Sequence, residues 1–402
     1  MNLKLGVDVV LTDALLRQQL RGKRVALLAT PASVTGDFQA SIDALAACED
    51  INLTACFGPQ HGLRGDQQDN MEETQDTQDA KYQIPVYSLY GEVRRPSAEM
   101  LASFDVLLVD IQDVGCRIYT FITTLFYLLE DLADTDKQLW VLDRPNPAGR
   151  EVEGLSLIAG QESFVGAAPM PMRHGLTLGE AAIWYKQFKQ LDTQLTVVAM
   201  QNYDMQHAPD FGWPQQQLSW INPSPNIATL NAVRTYSGTV LLEGTTLSEG
   251  RGTTRPLEIL GAPDLDISKL LKTMETLAPS WMQGCRIRET WFKPTFHKYQ
   301  GELCAGLQLH TDYPEYRPEA FKPYRFIILF LKAIRQCYPE YEIWRDFDYE
   351  YEFDRLAIDV INGGNGLREW VDNPDVTASD LEVQLVKDEV QWKESVRNYY
   401  LY

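Results

Sequence analysis

The chain has 402 residues, of which 36 are Lys or Arg and 56 are Asp or Glu, so its formal net charge is −20. At roughly 100 to 200 residues per domain, this length predicts two or three domains, each large enough for its own core. The excess of acidic groups argues against nucleic acid or an anionic membrane as partner, because both need clustered Lys and Arg side chains. No run of about 18 apolar residues predicts a membrane-spanning helix.

The first residues, Met1 to Asp8, lack the basic, apolar and small-residue regions of a secretory signal. The sequence as written therefore predicts a cytoplasmic protein, and a periplasmic or secreted one if a signal has been removed. The six cysteines form no CxxC pair and mostly stand among apolar residues. They are predicted to be buried free thiols.

Short apolar runs alternate with amphipathic segments in the first half, which predicts a parallel sheet with helices on both faces. The predicted strands are residues 24–30, 52–57, 106–111, 138–143 and 195–200. The predicted helices between them are residues 37–48, 97–103, 119–132 and 177–190. Residues 1–232 are therefore predicted to form a Rossmann-like α/β domain.

The remaining residues, 233–402, predict a smaller C-terminal α/β domain. Its predicted strands are residues 236–243 and 303–310, and its predicted helices are residues 318–336 and 379–399. The last helix has a capping-box-like start at Thr377 and Asp380. Residues 207–231 have few helical signals and are predicted to be a structured loop.

Several well-known motifs are missing. After the first predicted strand, residues 29–36 contain one glycine where the dinucleotide fingerprint GxGxxG needs three. The loop of residues 244–254 does not have the spacing of the phosphate-binding motif GxxxxGK[ST]. Neither GxSxG nor HExxH occurs, and the five histidines have no metal-ligand spacing. The sequence thus predicts neither a cofactor nor a metal.

Polar or glycine-rich segments follow four of the predicted strands, at residues 30–33, 58–65, 110–115 and 143–147. In open parallel sheets, ligands bind beyond the carboxyl ends of the strands, so these segments predict a composite site. In the second segment, His61 and Arg64 stand between glycines, which suggests either unusual backbone angles near a ligand or a structural turn.

Carboxylates, arginines and aromatic residues at loop positions are typical of a carbohydrate site. Glu92 lies between a strand-like run and a helix start, where a carboxylic acid kept protonated can protonate a leaving oxygen. A solvated glutamate near a helix N-terminus is the alternative. Asp110 and Asp113 follow an apolar strand, as active-site acids do, or they cap the following helix.

Residues 243–255 combine acids, arginines and threonines in one predicted loop. Arg251 and Arg255 could hold a carboxylate in bidentate fashion, with Thr253 and Thr254 as further donors. A self-contained ion-paired turn is the alternative. Aromatic residues elsewhere could stack on a sugar ring or belong to the core; these are Tyr90, Tyr119, Trp213 and Trp220.

The chain resembles the exo-lytic β-N-acetylmuramidases of the NamZ type, a bacterial peptidoglycan-salvage family formerly listed as a domain of unknown function. The matching segments occur in one consistent order between about residue 6 and residue 310. They are FGPQHGLRG (57–65), VYSLYG (86–91) with Arg95-Pro96, DIQDVGCRIYT (110–120), LDRPNP (142–147), RHGLT (173–177), PSPN (223–226), LEGTTLSEGRGTTRP (242–256), and PTF (294–296) with Lys298-Tyr299.

The resemblance implies a Rossmann-like domain joined to a smaller C-terminal domain, with the active site in the cleft between them. It implies hydrolysis of a non-reducing terminal β-1,4-linked N-acetylmuramic acid (MurNAc) from peptidoglycan fragments such as MurNAc-GlcNAc, where GlcNAc is N-acetylglucosamine. Glu92 occupies the family's tyrosine-glycine-glutamate position and is implied as the acid. Gln60 departs from the glutamate expected in many members.

The second catalytic group stays open, because Asp110, Asp113 or Glu249 could activate water or attack, and the substrate's 2-acetamido group could replace a protein nucleophile. The lactyl carboxylate of MurNAc is expected to bind one of five arginines: Arg64, Arg117, Arg144, Arg251 or Arg255. The other expected substrate-binding residues are His61, Tyr90, Tyr119, Asn146, Asn222, Ser224, Asn226, Glu243, Thr253 and Thr254. A non-catalytic binder of cell-wall sugars and an esterase or amidase acting on a substituted amino sugar are the alternative functions. The sequence does not indicate an oligomeric state.

Overall fold

The structure is a computed structural model that describes residues 2–68, 71–206 and 211–402. The first four residues of the loop predicted at 207–231 lie outside the described residues. The N-terminal strands are β1 (Arg24–Ala29), β2 (Asn52–Gly58), β3 (Thr77–Gln78), β4 (Pro85–Ser88), β5 (Val106–Asp110), β6 (Gln138–Leu142), β7 (Glu153–Ser156), β8 (Pro171–Arg173) and β9 (Gln194–Val198). The N-terminal helices are α1 (Gly6–Thr12), α2 (Ala14–Leu20), α3 (Ser41–Ala46), α4 (Ala98–Ala102), α5 (Thr120–Asp131) and α6 (Leu178–Phe188).

Seven of these strands form one sheet within the described residues, in the order β3-β4-β2-β1-β5-β6-β9. All pairings are parallel except that of β3 with β4. Without β3, the order is 3-2-1-4-5-6, the order of dinucleotide-binding folds. The predicted Rossmann-like sheet and its five predicted strands are confirmed.

Alternation along the central strands explains why helices cover both faces of the sheet. Val25 and Leu27 of β1 pack with residues of α1, α2 and α3. Ala26 and Leu28, which point to the opposite face, pack with residues of α5 and α6. Both faces are therefore core, which is why these strands read as continuous apolar runs in the sequence.

The C-terminal half contains a second, antiparallel sheet in the order β10-β12-β11. Its strands are β10 (Ile259–Ala262), β11 (Arg286–Phe292) and β12 (Cys304–His310), and its helices are α7 (Leu230–Thr239), α8 (Ile267–Leu277), α9 (Pro323–Cys337), α10 (Ala357–Asn362), α11 (Gly366–Asp372) and α12 (Ala378–Val396). Helix α9 contacts both α7 and α8, and residues 323–334 are all buried. It is the central helix of this half. The predicted division after residue 232 falls within α7 and stays a prediction.

The predicted strand at 236–243 is wrong, because these residues belong to helix α7 and to a 3₁₀ helix, Val240–Gly244. A short apolar run buried on all sides has no periodicity that distinguishes a strand from a helix. The overlooked signal is Thr229, whose side chain accepts a hydrogen bond from the backbone N–H of Ala232 and caps the helix. The helix predicted at 318–336 begins later, with Pro323 in its first turn. The capping box at Thr377 is confirmed.

Within the described residues, no helix has the length and apolar character needed to cross a membrane. All six cysteines are free thiols; Cys56, Cys116 and Cys304 are buried and the other three are partly buried.

A buried arginine joins the two halves of the chain. The guanidinium of Arg117 donates to the carbonyl oxygens of Leu155 (3.3 Å) and Met170 (2.9 Å) on the N-terminal side. On the C-terminal side it donates to those of Ile361 (2.9 Å) and Asn362 (2.7 Å). Arg117 is 1% exposed, and burial lowers the pKa of its guanidinium to about 10. It was expected to bind substrate, but its Nη1 and Nη2 groups bind backbone instead.

Replacing this side chain should destabilise the fold. Arg117→Met leaves four buried carbonyl oxygens without these donors, and we expect the free energy of unfolding to fall by about 3 to 5 kcal/mol. Urea unfolding followed by tryptophan fluorescence measures this. Arg286→Met, which removes an exposed ion pair with Glu315, is the control and should change the value by less than about 0.5 kcal/mol. Equal effects in the two variants would contradict the role of Arg117.

Candidate active site

A partly open cavity lies where the loops after β2 and β5 meet the C-terminal half. The first loop contributes Gln60 and His61, and the second contributes residues 118–120. Ser224 and Asn226 come from the long loop before α7. The C-terminal half contributes Tyr236, Glu243, Arg251, Leu257, Tyr349 and Glu350. The site is therefore composite, as the polar segments after the strands predict.

Glu350 is a carboxyl group enclosed by hydrogen-bond donors of the other half of the chain. It is 4% exposed. The Tyr90 hydroxyl donates to its Oε2 at 2.8 Å, and the Gln60 amide Nε2 donates to its Oε1 at 3.2 Å. Burial raises the pKa of Glu350 to about 7, although these donors and the charge of Arg94 oppose the increase. Glu350 can therefore gain and lose a proton near neutral pH.

Glu243 is the second carboxyl group of the cavity, and it is surrounded differently. Its Oε1 accepts a hydrogen bond from Arg251 Nη2 at 2.6 Å, and its Oε2 accepts one from the Tyr349 hydroxyl at 2.8 Å. Arg251 thus compensates the charge of Glu243, while the described residues give Glu350 no cation within salt-bridge distance. One cavity therefore holds two carboxyl groups in distinct environments.

Glu249 lies behind Arg251 and does not line the cavity. It is fully buried and contacts Lys298 Nζ (2.8 Å), Arg251 Nε (3.2 Å) and His297 Nδ1 (3.4 Å). Burial alone would raise the pKa of Glu249, but these neighbouring charges outweigh it and lower the pKa to about 2. Its position supports a role in holding Arg251 and not the expected activation of water.

The last residue of β5, Asp110, and Asp113 in the following loop also contact protein groups. Asp110 is fully buried and paired with Arg144, with Oδ1 to Nε at 2.6 Å, and Arg144 also donates to the Val34 carbonyl oxygen. Asp113 Oδ2 accepts from the Gly115 N–H at 2.7 Å and lies 3.6 Å from His174 Nε2. Neither acid lines the cavity. The Asp110–Arg144 pair occupies the strand exits next to β1, where the strand order reverses and a dinucleotide would bind.

Several other expected ligands have structural contacts. Asn146 donates to the carbonyl oxygens of Gly149 and Leu176. Thr253 donates to the Gly250 carbonyl oxygen, and Arg255 pairs with Glu258 at 3.2 Å. Trp213 and Trp220 pack against each other, with ring centroids 5.0 Å apart. Asn222, Thr254 and Arg64 are exposed outside the cavity.

Six of the predicted substrate-binding residues do line the cavity: His61, Tyr119, Ser224, Asn226, Glu243 and Arg251. A seventh, Tyr90, reaches it through its hydrogen bond to Glu350. His61 has a left-handed φ of 70°, which fits the unusual backbone predicted for its glycine-rich loop.

Glu92, the predicted acid, is exposed and does not line the cavity. The charged residue of this loop that contacts Tyr90 is Arg94. Its Cζ lies 4.0 Å from the centroid of the Tyr90 ring and 4.5 Å from the centroid of the Tyr351 ring. The acid role of Glu92 stays a prediction that its position does not support.

Glu350 and Tyr349 are cavity residues that were not predicted from the sequence. They lie in the segment FDYEYEFD, residues 347–354, in which aromatic and acidic residues alternate with the period of a strand. In the structure this segment forms a turn closed by a bridge between Tyr349 and Glu352 instead. The sequence signal that could have indicated these residues is an acid between two tyrosines. Among the described residues, no three His, Cys, Asp or Glu side chains are grouped so as to hold a metal ion.

The pKa of Glu350 predicts how stability depends on pH. A folded-state pKa of about 7 against an unfolded value of 4.5 means that the native state binds more protons between these values. Stability is therefore lost as the pH rises through this window, by about 3 kcal/mol for this group. Glu350→Gln lacks this contribution, so the variant should gain about 3 kcal/mol relative to wild type between about pH 4 and about pH 8. Urea unfolding at both pH values tests this, and a constant difference would contradict it.

Comparisons with known proteins agree with the two-part architecture. A family model described as exo-β-N-acetylmuramidase NamZ, N-terminal, matches residues 25–231, and the corresponding C-terminal model matches residues 234–402. A curated relative, the peptidoglycan β-N-acetylmuramidase NamZ of Bacillus subtilis (strain 168), is 41% identical over 372 residues, which are 91% of this chain and 82% of the relative.

Two crystal structures of DUF1343 family proteins from Bacteroides fragilis NCTC 9343 have the same fold. Their TM-scores are 0.84 and 0.76 at 29% and 26% sequence identity, and each comparison covers 100% of this chain and 99% of the other. The family models together span most of the chain, and the Bacillus relative is similar across both halves. The chain belongs to the exo-β-N-acetylmuramidase NamZ family.

Proposed function

We propose that the chain is an exo-acting glycoside hydrolase that releases a non-reducing terminal β-1,4-linked MurNAc from peptidoglycan fragments, with MurNAc-GlcNAc as the smallest substrate. The observation that carries this proposal is the pair of carboxyl groups in one cavity, Glu350 and Glu243. Glycosidases of most families use two carboxyl groups, one that is protonated and one that is charged. Family membership supplies the reaction, and the cavity supplies groups suited to it.

The lining of the cavity supports a sugar ligand. Ile118, Tyr119, Ile227, Tyr236 and Leu257 form an apolar part of its wall, and each is less than a tenth exposed. Such a surface beside the polar groups of the cavity suits a sugar ring, which has apolar C–H faces and polar edges.

The alternative functions are less favoured. A protein that only binds a sugar gains nothing from a buried carboxyl group whose charged form is destabilised, because that group reduces stability at neutral pH. An esterase or amidase of the common serine type needs an activated nucleophile, and the chain has no GxSxG motif.

Product analysis tests the reaction. The purified chain, incubated with MurNAc-GlcNAc, should give free MurNAc and free GlcNAc in equal amounts by liquid chromatography and mass spectrometry. The reversed disaccharide GlcNAc-MurNAc is the control and should stay intact, since its terminal sugar has no lactyl group. An untouched MurNAc-GlcNAc would instead indicate a binding protein. A disaccharide that has lost only a substituent would indicate an esterase or amidase.

Arg64 is the arginine that we propose for the lactyl carboxylate. Arg117 and Arg144 are occupied inside the fold, and Arg255 pairs with Glu258. Arg251 lies between Glu243 and Glu249, so a third carboxylate there would meet two negative charges. Arg64 lies outside the cavity and lines a neighbouring surface pocket, but it is exposed, it follows His61 in the same loop, and the described residues offer it no ion pair.

Arg64→Ala should therefore reduce kcat/KM for an aryl MurNAc glycoside by about 10- to 100-fold, the loss expected for a charge-assisted hydrogen bond. The matching GlcNAc glycoside has no lactyl group, so its slow background hydrolysis should change by less than about 3-fold. Arg286→Ala serves as the surface control. Equal losses on both glycosides would refute the assignment.

A further inference from the structure

We propose that Glu350 is the general acid that protonates the leaving glycosidic oxygen, in place of the exposed Glu92. This inference rests on the proposed function, because it names the proton donor of that reaction. It also assigns positioning roles to Gln60 and Thr120.

The contacts of Glu350 hold its carboxyl group in one orientation. Tyr90 donates to Oε2 and Gln60 donates to Oε1, so each oxygen has one fixed partner. The Gln60 amide is itself oriented, because Thr120 Oγ1 donates to its carbonyl oxygen at 2.6 Å and turns its NH₂ group towards Glu350. A carboxyl group held from both sides and open to a cavity is placed to give a proton in one direction.

The backbone at this position is also unusual. Glu350 has φ 48° and Tyr351 has φ 67°, so two successive residues other than glycine adopt left-handed angles. Such conformations are costly for side chains with a Cβ and concentrate at functional sites. The tight turn places Glu350 in the cavity, while Tyr351 points outward, 47% exposed, and donates to Glu73 at 2.7 Å.

The charges around Glu350 suit an acid that must regain its proton after each turnover. Burial and the negative charge of Glu243 favour the protonated form, whereas Tyr90, Gln60 and Arg94 favour the charged form. The pKa of about 7 results from this balance. An acid with this pKa is half protonated at neutral pH and is also a competent base for the return step.

The bonds change as follows. The proton of Glu350 moves to the glycosidic oxygen while the bond from C1 of MurNAc to that oxygen breaks, and the bonding electrons stay on the leaving oxygen. GlcNAc leaves as a neutral alcohol. The oxygen of a water molecule bonds to C1, and the proton which that water loses regenerates protonated Glu350. The carboxylate of Glu243 in the same cavity stabilises the positive charge that develops at the sugar ring.

Variants and leaving groups separate this acid from a merely structural residue. Glu350→Gln should reduce kcat for MurNAc-GlcNAc by about 10²- to 10⁴-fold with little change in KM. A dinitrophenyl MurNAc glycoside needs no protonation of its leaving group, so its kcat should fall by less than about 10-fold. In wild type, kcat/KM for the disaccharide should fall as the pH rises above about 7, and this decrease should be absent in Glu350→Gln. Asp354→Asn, an exposed change in the same segment, is the matched control.

A second variant tests the assignment without removing the acid. Gln60→Glu replaces a donor to Glu350 with another carboxylate, which should raise the pKa of Glu350 and move the alkaline decrease in kcat/KM upward by at least about one pH unit. A decrease that stays in place would count against Glu350 as the titrating acid. This variant retains both Glu350 and Tyr90, and thermal unfolding confirms that it is folded.

The results also distinguish this inference from the proposed function. If wild type releases no MurNAc from MurNAc-GlcNAc, the proposed function itself fails. If wild type is active and Glu350→Gln is equally active, or loses the same factor on both substrates, only the assignment of Glu350 fails. If Glu92→Gln gives the leaving-group pattern described for Glu350→Gln, Glu92 is the acid and our inference is overturned.

Discussion

Two carboxyl groups share one cavity, and among the described residues Arg251 forms an ion pair with Glu243 whereas Glu350 has no cation within salt-bridge distance. This unequal distribution of charge determines the chemistry that the site can perform. Arg251 compensates Glu243, and Glu249 with Lys298 holds Arg251 behind it. From the part of the chain that the structure describes, Glu350 receives two neutral donors and the more distant charge of Arg94, and burial is the largest influence on its pKa. The site thus places two carboxyl groups in different electrostatic environments in a protein whose net charge is −20.

Protein side chains fill the crevice in which doubly wound sheets usually bind their ligand, and this explains where the cavity lies. The strand order reverses between β1 and β5, and the polar ends of these strands are where such folds bind nucleotides. Here the Asp110–Arg144 pair occupies that place, and Ser33 donates to the Asp110 carbonyl oxygen. The binding space is displaced towards the loops after β2 and β5, where the C-terminal half closes it. A Rossmann-like sheet can therefore serve a sugar without a dinucleotide.

The sequence predicts the sheet well because its strands are apolar on both faces and end in polar segments. It predicts part of the site for the same reason, since His61 and Tyr119 follow strands that are easily recognised. It does not separate a side chain that binds substrate from one that binds protein, and so Arg117, Arg144 and Asn146 were expected as ligands. Glu350 could not be identified, because its contacts with Gln60 and Tyr90 join residues 290 and 260 positions apart. Its burial is a property of the assembled chain and leaves no local pattern.

The guanidinium of Arg117 has a mechanical consequence. Its four hydrogen bonds divide evenly between the β7–β8 segment and helix α10, so any rotation that separated the two lobes would break a buried contact on one side. A clamshell motion of the kind seen in many hinged enzymes would therefore be energetically expensive here. Sugar entry and product departure are better served by displacement of surface loops around a rigid frame. Turnover would then be gated at the rim of the pocket, and the acid and anion would keep their spacing throughout the cycle.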